Sequence, residues 1–327
     1  MRRLAVLALF VLSGCAGSIA QLDVKDGVVP RACCRDAGDL PVELEYLGSG
    51  GWMVRRGDDA FMTAPFFSNP NLFRTLFLPI RPARELILDQ MRTVAGREHV
   101  RVMLAGHAHY DHLLDVETVL EELPEDARIY GGTTVAALVP RRGVDIITHA
   151  GTAHSRGDWV YQGRVRFLPI FSEHAAHVMG IKAANGHYMQ PPKRPGRARF
   201  WKEGETLAFL IDVLNDDGSI DFRIYYDDAA HNSPYGYVDG ETLLEHKVDV
   251  AILCVASYHE VEDYPKNLLD SLKPRHVLLG HWEDFFIPYK RAERTVRMTN
   301  VPGFIAKLPP GTQWTMLKRR GIVRFVP

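Results

Sequence analysis

The sequence predicts an α/β fold, a sandwich with sheets inside and helices outside. Three observations carry this. Short alternating segments between turn residues give strand hairpins. Apolar runs followed by helical periodicity give strand–helix units. Both kinds occur in one chain, which is the pattern of sheets covered by helices. The 327 residues allow two domains, although single sandwiches reach this size.

In chain order, strands are predicted over 42–47, 52–56 and 60–63, separated by Gly-rich or Asp-containing turns. Leu86, Ile87 and Met91 share one face of a predicted helix over 83–94. The apolar run at 100–104 suits a strand buried on both faces. A helix over 113–123, a strand over 127–130 and a short helix over 133–139 follow. Strands return over 159–162 and 165–170. Those at 207–214 and 220–226 flank Asn215-Asp216-Asp217-Gly218-Ser219, a strong hairpin turn. Alternation resumes with a helix at 240–246, a strand at 248–255, a helix at 265–272 and a strand at 276–279, and a last helix and hairpin end the chain.

Lys plus Arg number 39 against 40 for Asp plus Glu, so no charge excess draws the chain to nucleic acid, and none is expected as a partner. Four cysteines are too few for a disulfide scaffold. Arg2 and Arg3 precede the apolar run 4–12, which is too short to span a bilayer but suits a signal peptide. Leu12-Ser13-Gly14-Cys15 resembles the bacterial lipobox, which implies lipidation at Cys15 and attachment to the membrane through that lipid. Residues 1–14 are therefore expected to be a signal peptide, 15–41 a lipid-anchored tether and 42–327 the folded domain. The expected location is extracytoplasmic, and the resemblance to sorted lipoproteins implies that the non-acidic Ala16 favours an outer membrane where the host has one. Cys33 and Cys34 are adjacent and able to pair outside the cytoplasm, whereas Cys254 sits in an apolar run as a small buried hydrophobe.

Two stretches read as loops. Residues 66–82 are apolar and rich in Pro and Asn, with Phe66, Phe67, Phe73 and Phe77. Residues 182–202 carry six basic residues and no acidic one. Loops of this length are commonly lids or binding segments.

Fourteen histidines decide the chemistry. His107, His109, Asp111 and His112 fall within six residues, between the strand at 100–104 and the next helix. Imidazole nitrogens and carboxylate oxygens converging there are the ligands that zinc and similar divalent ions prefer. These residues form a complete H-x-H-x-D-H pattern, and at this point the chain resembles the metallo-β-lactamase fold superfamily, roughly over 42–326. The resemblance implies a four-layer αββα sandwich. It also implies two metals, held by this cluster with a later histidine, aspartate and final histidine at strand ends.

His174, Asp227, Asp228 and His281 each follow an apolar run, where side chains gather at a sheet's edge. The resemblance implies that His107, His109 and His174 hold one metal, and that Asp111, His112 and His281 hold the second, with Asp228 bridging. His177 is the alternative to His174. Asp227 is the alternative to Asp228, which is preferred because the family keeps a non-ligand immediately before its aspartate. His231, Tyr258, His259 and Tyr264 follow ligand-bearing strands and are candidates to face substrate or support the ligands. Trp282-Glu283-Asp284 is a candidate source of hydrogen bonds to metal-bound imidazoles, or of helix-start capping.

The expected function is a dinuclear metal-dependent hydrolase, with two divalent ions, zinc fitting best, sharing a bridging hydroxide. Asp111 is the expected catalytic residue, orienting the nucleophile or shuttling its proton. The anchor, the aromatic stretch and the basic stretch point to a phosphodiester or phospholipid-like substrate. The alternatives are an amide, lactam or lactone hydrolase of the same fold, and a non-catalytic metal-binding lipoprotein.

Overall fold

A computed structural model describes residues 27–30, 40–140, 143–177, 180–193 and 196–326. The chain up to residue 26, with the expected signal peptide and Cys15, lies outside the described residues, as do Cys33 and Cys34.

The first half of the chain builds one sheet: β1 (Gly27–Pro30), β2 (Val42–Gly48), β3 (Gly51–Arg56), β4 (Asp59–Thr63), β5 (Val100–Leu104), β6 (Arg128–Gly131) and β7 (Asp145–Ile146). The second half builds the other: β8 (Val160–Gln162), β9 (Val165–Ser172), β10 (Thr206–Leu214), β11 (Ile220–Tyr226), β12 (Val250–Cys254), β13 (His276–Gly280) and β14 (Trp314–Thr315). The last strand, β15 (Ile322–Val326), returns to the first sheet between β1 and β2. β4, β5, β6 and β7 are parallel, as are β11, β12, β13 and β14, so the loops leaving β5, β11 and β13 follow the carboxyl ends of strands set in parallel pairs.

Alternation along the strands sorts their side chains. Trp52, Val54 and Phe61 pack towards Phe167, Phe209, Ile224 and Leu253 of the second sheet. Met53, Met62 and Met103 point the other way, against Ile87 and Met91 of the helix Arg84–Arg92 and Val116, Val119 and Val135 beyond. Leu268, Leu269 and Leu272 of the helix Lys266–Leu272, with Phe304, share the second sheet's buried cluster. Helix, sheet, sheet and helix therefore stack in four layers. Among the described residues no helix is long and apolar enough to cross a membrane.

Several expectations need correction. Gly27–Pro30, inside the segment expected to be a tether, forms an edge strand parallel to β15. The helix expected over 113–123 is three pieces, Tyr110–Leu113, Val116–Val119 and a 3₁₀ turn at Leu120–Glu122. The break falls at Asp115, whose buried carboxylate accepts from the Phe67 and Ser68 amides at 2.7 and 2.8 Å. The final hairpin does not form: β14 pairs with β13 and β15 with β2, in different sheets. Residues 66–82 hold a helix, Leu72–Phe77, capped by the Asn71 side chain on the Arg74 amide. Phe66 and Phe67 are buried, because Asp115 draws that backbone inward, and only Phe73 and Phe77 are exposed.

His276, at the start of β13, gives a pH prediction remote from the site. Burial pushes its imidazole down to about 4, against an ordinary value of 6.5. The unfolded chain therefore binds the extra proton between about pH 4 and 6.5, so this residue's contribution falls as pH falls through that window. His276→Gln, which keeps a partner for Thr315 Oγ1 at 2.9 Å, is expected to gain about 2 kcal/mol relative to the parent at pH 5 over pH 7.5. Urea titrations of both proteins at the two pH values check it.

Candidate metal centre

Four strand ends assemble the site. Past β5, the Gly106 carbonyl accepts from the Leu207 amide and the Ala108 amide donates to the Glu203 carbonyl, both at 2.8 Å. These bonds pin the His107–His109 segment against the second sheet. His109, with extended backbone, caps the helix Tyr110–Leu113, so Asp111 and His112 occupy its first turn. His174 follows β9, Asp228 follows β11 and His281 follows β13.

The side chains converge in three overlapping groups: His107, His109 and His174; His107, His112 and Asp228; Asp111, His112 and His281. Within each group the potential ligand atoms lie within 4.8 Å of one another. The Asp228 carboxylate sits between the first and third groups, with Oδ1 3.0 Å from His107 Nδ1 and Oδ2 3.3 Å from His112 Nδ1. Asp111 Oδ2 is 3.3 Å from His281 Nε2 and 3.7 Å from His112 Nε2. All but His174, which is half-buried, are buried.

A buried polar atom without a partner costs on the order of 1–3 kcal/mol. Here His107 Nε2, His109 Nε2 and His281 Nδ1 are buried with no hydrogen-bond partner in the protein, and His112 Nδ1 faces only the Asp228 carboxylate. His174 places its Nδ1 2.7 Å from the Ala175 carbonyl, which fixes that nitrogen as the donor and leaves Nε2 as a lone-pair donor to an ion. Burial pushes His112 down to about 3, and holds His107 and His109 well below the ordinary histidine range. For Asp111, burial works upward, but the imidazoles of His112, His281 and His109 outweigh it and hold the carboxyl well below its usual value. Neutral imidazoles and an ionised carboxylate are the protonation states that metal ligation requires. For His281, burial works downward but the adjacent Asp111 carboxylate outweighs it and raises the imidazole, while burial raises Asp228; both would release a proton as an ion arrives. The donor set therefore fits divalent ions.

The surroundings fix these groups in place. A Cβ on Gly106 would lie 2.4 Å from Asp228 Oδ1, and one on Gly50 would lie 2.7 Å from His112 Nδ1. Both glycines are required by close approach, and nothing in the sequence pattern marks them. His281 adopts a left-handed backbone, φ +52°, a conformation that costs on the order of 1–3 kcal/mol and collects at functional sites. Its amide is held by the Ser49 carbonyl at 3.1 Å and by the Tyr46 hydroxyl at 3.0 Å, and Glu283 accepts from both Tyr46 and the Ser49 amide. Glu283 thus supports the His281 backbone, not an imidazole, and no helix begins there for it to cap. Asp284 pairs with Arg294 at 2.7 Å.

No family model matches the sequence, and no curated protein matches it. Solved structures match its fold. Igni18, a metallo hydrolase from Ignicoccus hospitalis, is 14% identical, with 88% of this chain and 99% of that one covered at a TM-score of 0.51. A possible metal-dependent hydrolase from Veillonella parvula is 13% identical, covering 86% and 98% at a TM-score of 0.52. The metallo-β-lactamase fold protein YhfI from Bacillus subtilis is 12% identical, covering 87% and 99% at a TM-score of 0.49. The chain has the fold of the Ignicoccus and Veillonella proteins, two sheets packed between helices. At these identities the likeness concerns architecture alone.

In this fold the clustered side chains open onto a cleft between the sheet ends. His109, Asp111, His174, Asp228 and His281 line its floor, and Phe285, Phe286, Val296 and Met298 form an apolar wall. His177 lines the cleft, stacked on His174 with centroids 4.7 Å apart, but joins none of the three groups. The Ala183 amide donates to His177 Nδ1 at 3.2 Å, leaving Nε2–H as a hydrogen-bond donor. Asp227 lies behind the site, accepting from the Cys254 amide at 2.7 Å and the Tyr264 hydroxyl at 3.1 Å, with His231 Nε2 at 3.4 Å. Those contacts occupy its carboxylate, so Asp227 and His231 brace the β11 end. Of the pair after β12, His259 lines the cleft. Tyr258 instead packs on Phe304 and donates to the Asn300 carbonyl at 2.9 Å, so it does not face substrate. Arg297, unmarked in the sequence, joins the cleft lining, with Nε 3.8 Å from the Asp284 carboxylate.

Proposed function

We propose that the chain is a dinuclear metal-dependent hydrolase acting on an amphiphilic phosphodiester. The observation that carries the hydrolase reading is the buried ring of histidines around Asp228, whose unpartnered nitrogens stand beside an open cleft. His107, His109 and His174 would hold one divalent ion and Asp111, His112 and His281 the other, with Asp228 between them; zinc suits this mixture of ligands best. When bound, such ions supply Lewis acidity towards the scissile group and acidify water.

The chain's own residues set up the reaction. Asp111 faces both His281 and the cleft, which suits it to orient an attacking water. His177 presents Nε2–H as a donor for a substrate oxygen. Arg297 adds positive charge for a phosphoryl oxygen, and the apolar wall of Phe285, Phe286, Val296 and Met298 suits a hydrocarbon substituent. An amphiphilic anion matches that combination better than a neutral lactam or lactone does.

The test is a chromogenic panel containing a phosphodiester, a phosphonate, a lactone and a cephalosporin. Turnover confined to the phosphorus esters is expected. Arg297→Ala is expected to raise KM for the diester roughly 10- to 100-fold with kcat little changed, the loss of a charged hydrogen bond. Turnover of the lactone or cephalosporin alone would move the assignment to carbonyl hydrolysis.

A further inference from the structure

The strongest feature outside the cleft is a surface built from the two sequence stretches that read as loops. The helix Leu72–Phe77 and the turn Ala198–Phe200 are fastened together: Arg197 donates to the Phe77 carbonyl at 2.9 Å, and the Ile80 amide donates to the Gly196 carbonyl at 2.8 Å. The helix buries Leu72 and Thr75 and turns Phe73, Arg74 and Phe77 outward. Phe73 is 61% exposed, Phe77 and Phe200 44% each, and Leu78 39%. Phe73 and Phe77 pack one turn apart, their rings tilted at 49° with centroids 5.3 Å apart.

Exposed aromatics at this density are unusual on a protein surface. Their neighbours give them a partner. Arg74, Arg81 and Arg199 are exposed among them, Arg199 with its guanidinium 4.8 Å from the Phe200 ring. Among the described residues no carboxylate pairs with these three arginines. Neither 66–82 nor 182–202 contains any Asp or Glu, although the whole chain has a formal charge of −1. Aromatic rings interleaved with cations, and with acids excluded, complement an interface where acyl chains lie under anionic headgroups.

We infer that this face docks on an anionic lipid bilayer. The inference rests on the surface alone and goes beyond the hydrolase reading.

Cosedimentation with vesicles tests this, using the full chain carrying Cys15→Ser so that no acyl group is added. Vesicles of phosphatidylglycerol mixed with phosphatidylcholine are compared with phosphatidylcholine alone. The apolar N-terminal run is common to every variant, so differences between variants report the face. Phe73→Ser with Phe77→Ser is expected to weaken binding about tenfold or more. Arg74→Gln with Arg199→Gln is expected to weaken binding to the anionic vesicles about fivefold per charge and to leave phosphatidylcholine binding unchanged. Hydrolysis of a soluble diester and metal content should stay at parental values in both, which shows that each variant folds. Binding within twofold of the parent for the arginine pair would overturn the inference. So would a change only in self-association, which would make the face a contact between copies of the chain.

Discussion

Gly106→Ala is expected to strip the metal centre while the fold stands. The new methyl group would lie 2.4–2.5 Å from both Asp228 carboxylate oxygens, and that carboxylate is already held between His107 and His112. The carboxylate must move, and it is the group shared between the two halves of the site. Displacing a group that merely orients ligands costs about 10–100-fold in metal affinity. Displacing Asp228 itself should cost at least about 100-fold in affinity for one of the two ions and as much in kcat. Gly106 lies outside both sheets and its backbone is not in the left-handed region, so a melting curve of the metal-free protein should shift little. Asp228→Asn is the companion, because it keeps the shape and removes the charge. Isothermal titration with zinc, run beside the diester assay, checks both variants. Parental affinity in Gly106→Ala would mean that Asp228 is not a ligand.

The second large effect concerns the fold and leaves the site alone. Arg223 on β11 is fully buried and stands opposite Asp212 on β10. It donates to both Asp212 oxygens at 2.7 and 2.9 Å and to the carbonyls of Thr242 and His246 at 2.8 and 3.0 Å. Arg223→Met would leave those acceptors short of donors inside the protein, although Arg166 keeps one bond to Asp212 at 2.8 Å. Breaking a buried pair in this way costs about 3–5 kcal/mol, because the remaining charge is stranded. Replacing Asp212 with Leu in the same chain should restore only part of that loss, since the double change removes the buried carboxylate but also takes away the partner of Arg166. Urea unfolding of the single and double variants measures the difference. Metal content per folded molecule should not change.

The sequence made the centre of the site legible for a chemical reason. Four ligand-type side chains in six residues after an apolar strand have few other uses, and His107, His109, Asp111 and His112 are brought together accordingly. His174, Asp228 and His281 could be sought at the ends of later strands, because α/β sheets gather side chains there. The support around them was not legible. Gly50 and Gly106 matter only through atoms distant in sequence, and Arg297 lies in a segment with no periodic pattern. Tyr46 and Glu283, 237 residues apart, jointly hold the His281 backbone, which no local signal announces.

The fold shows the same division. Strand alternation located both sheets, but the missing terminal hairpin reflects tertiary choice. β14 and β15 are short strands separated by turn residues, and local chemistry allows them to pair. Each instead completes a separate sheet, β14 beside β13 and β15 between β1 and β2. The broken helix after His112 has a comparable origin, since Asp115 spends its carboxylate on the Phe67 and Ser68 amides.

The most direct test of the central claim is elemental analysis of the purified chain after zinc loading and desalting, beside Asp228→Asn and His109→Ala. The predicted result is two ions per parental chain and fewer in each variant, with the melting temperature of the parent falling on chelation and recovering when zinc is restored. One or no bound ion in the parent, or no stoichiometric difference among the three proteins, would contradict a dinuclear centre built on these residues.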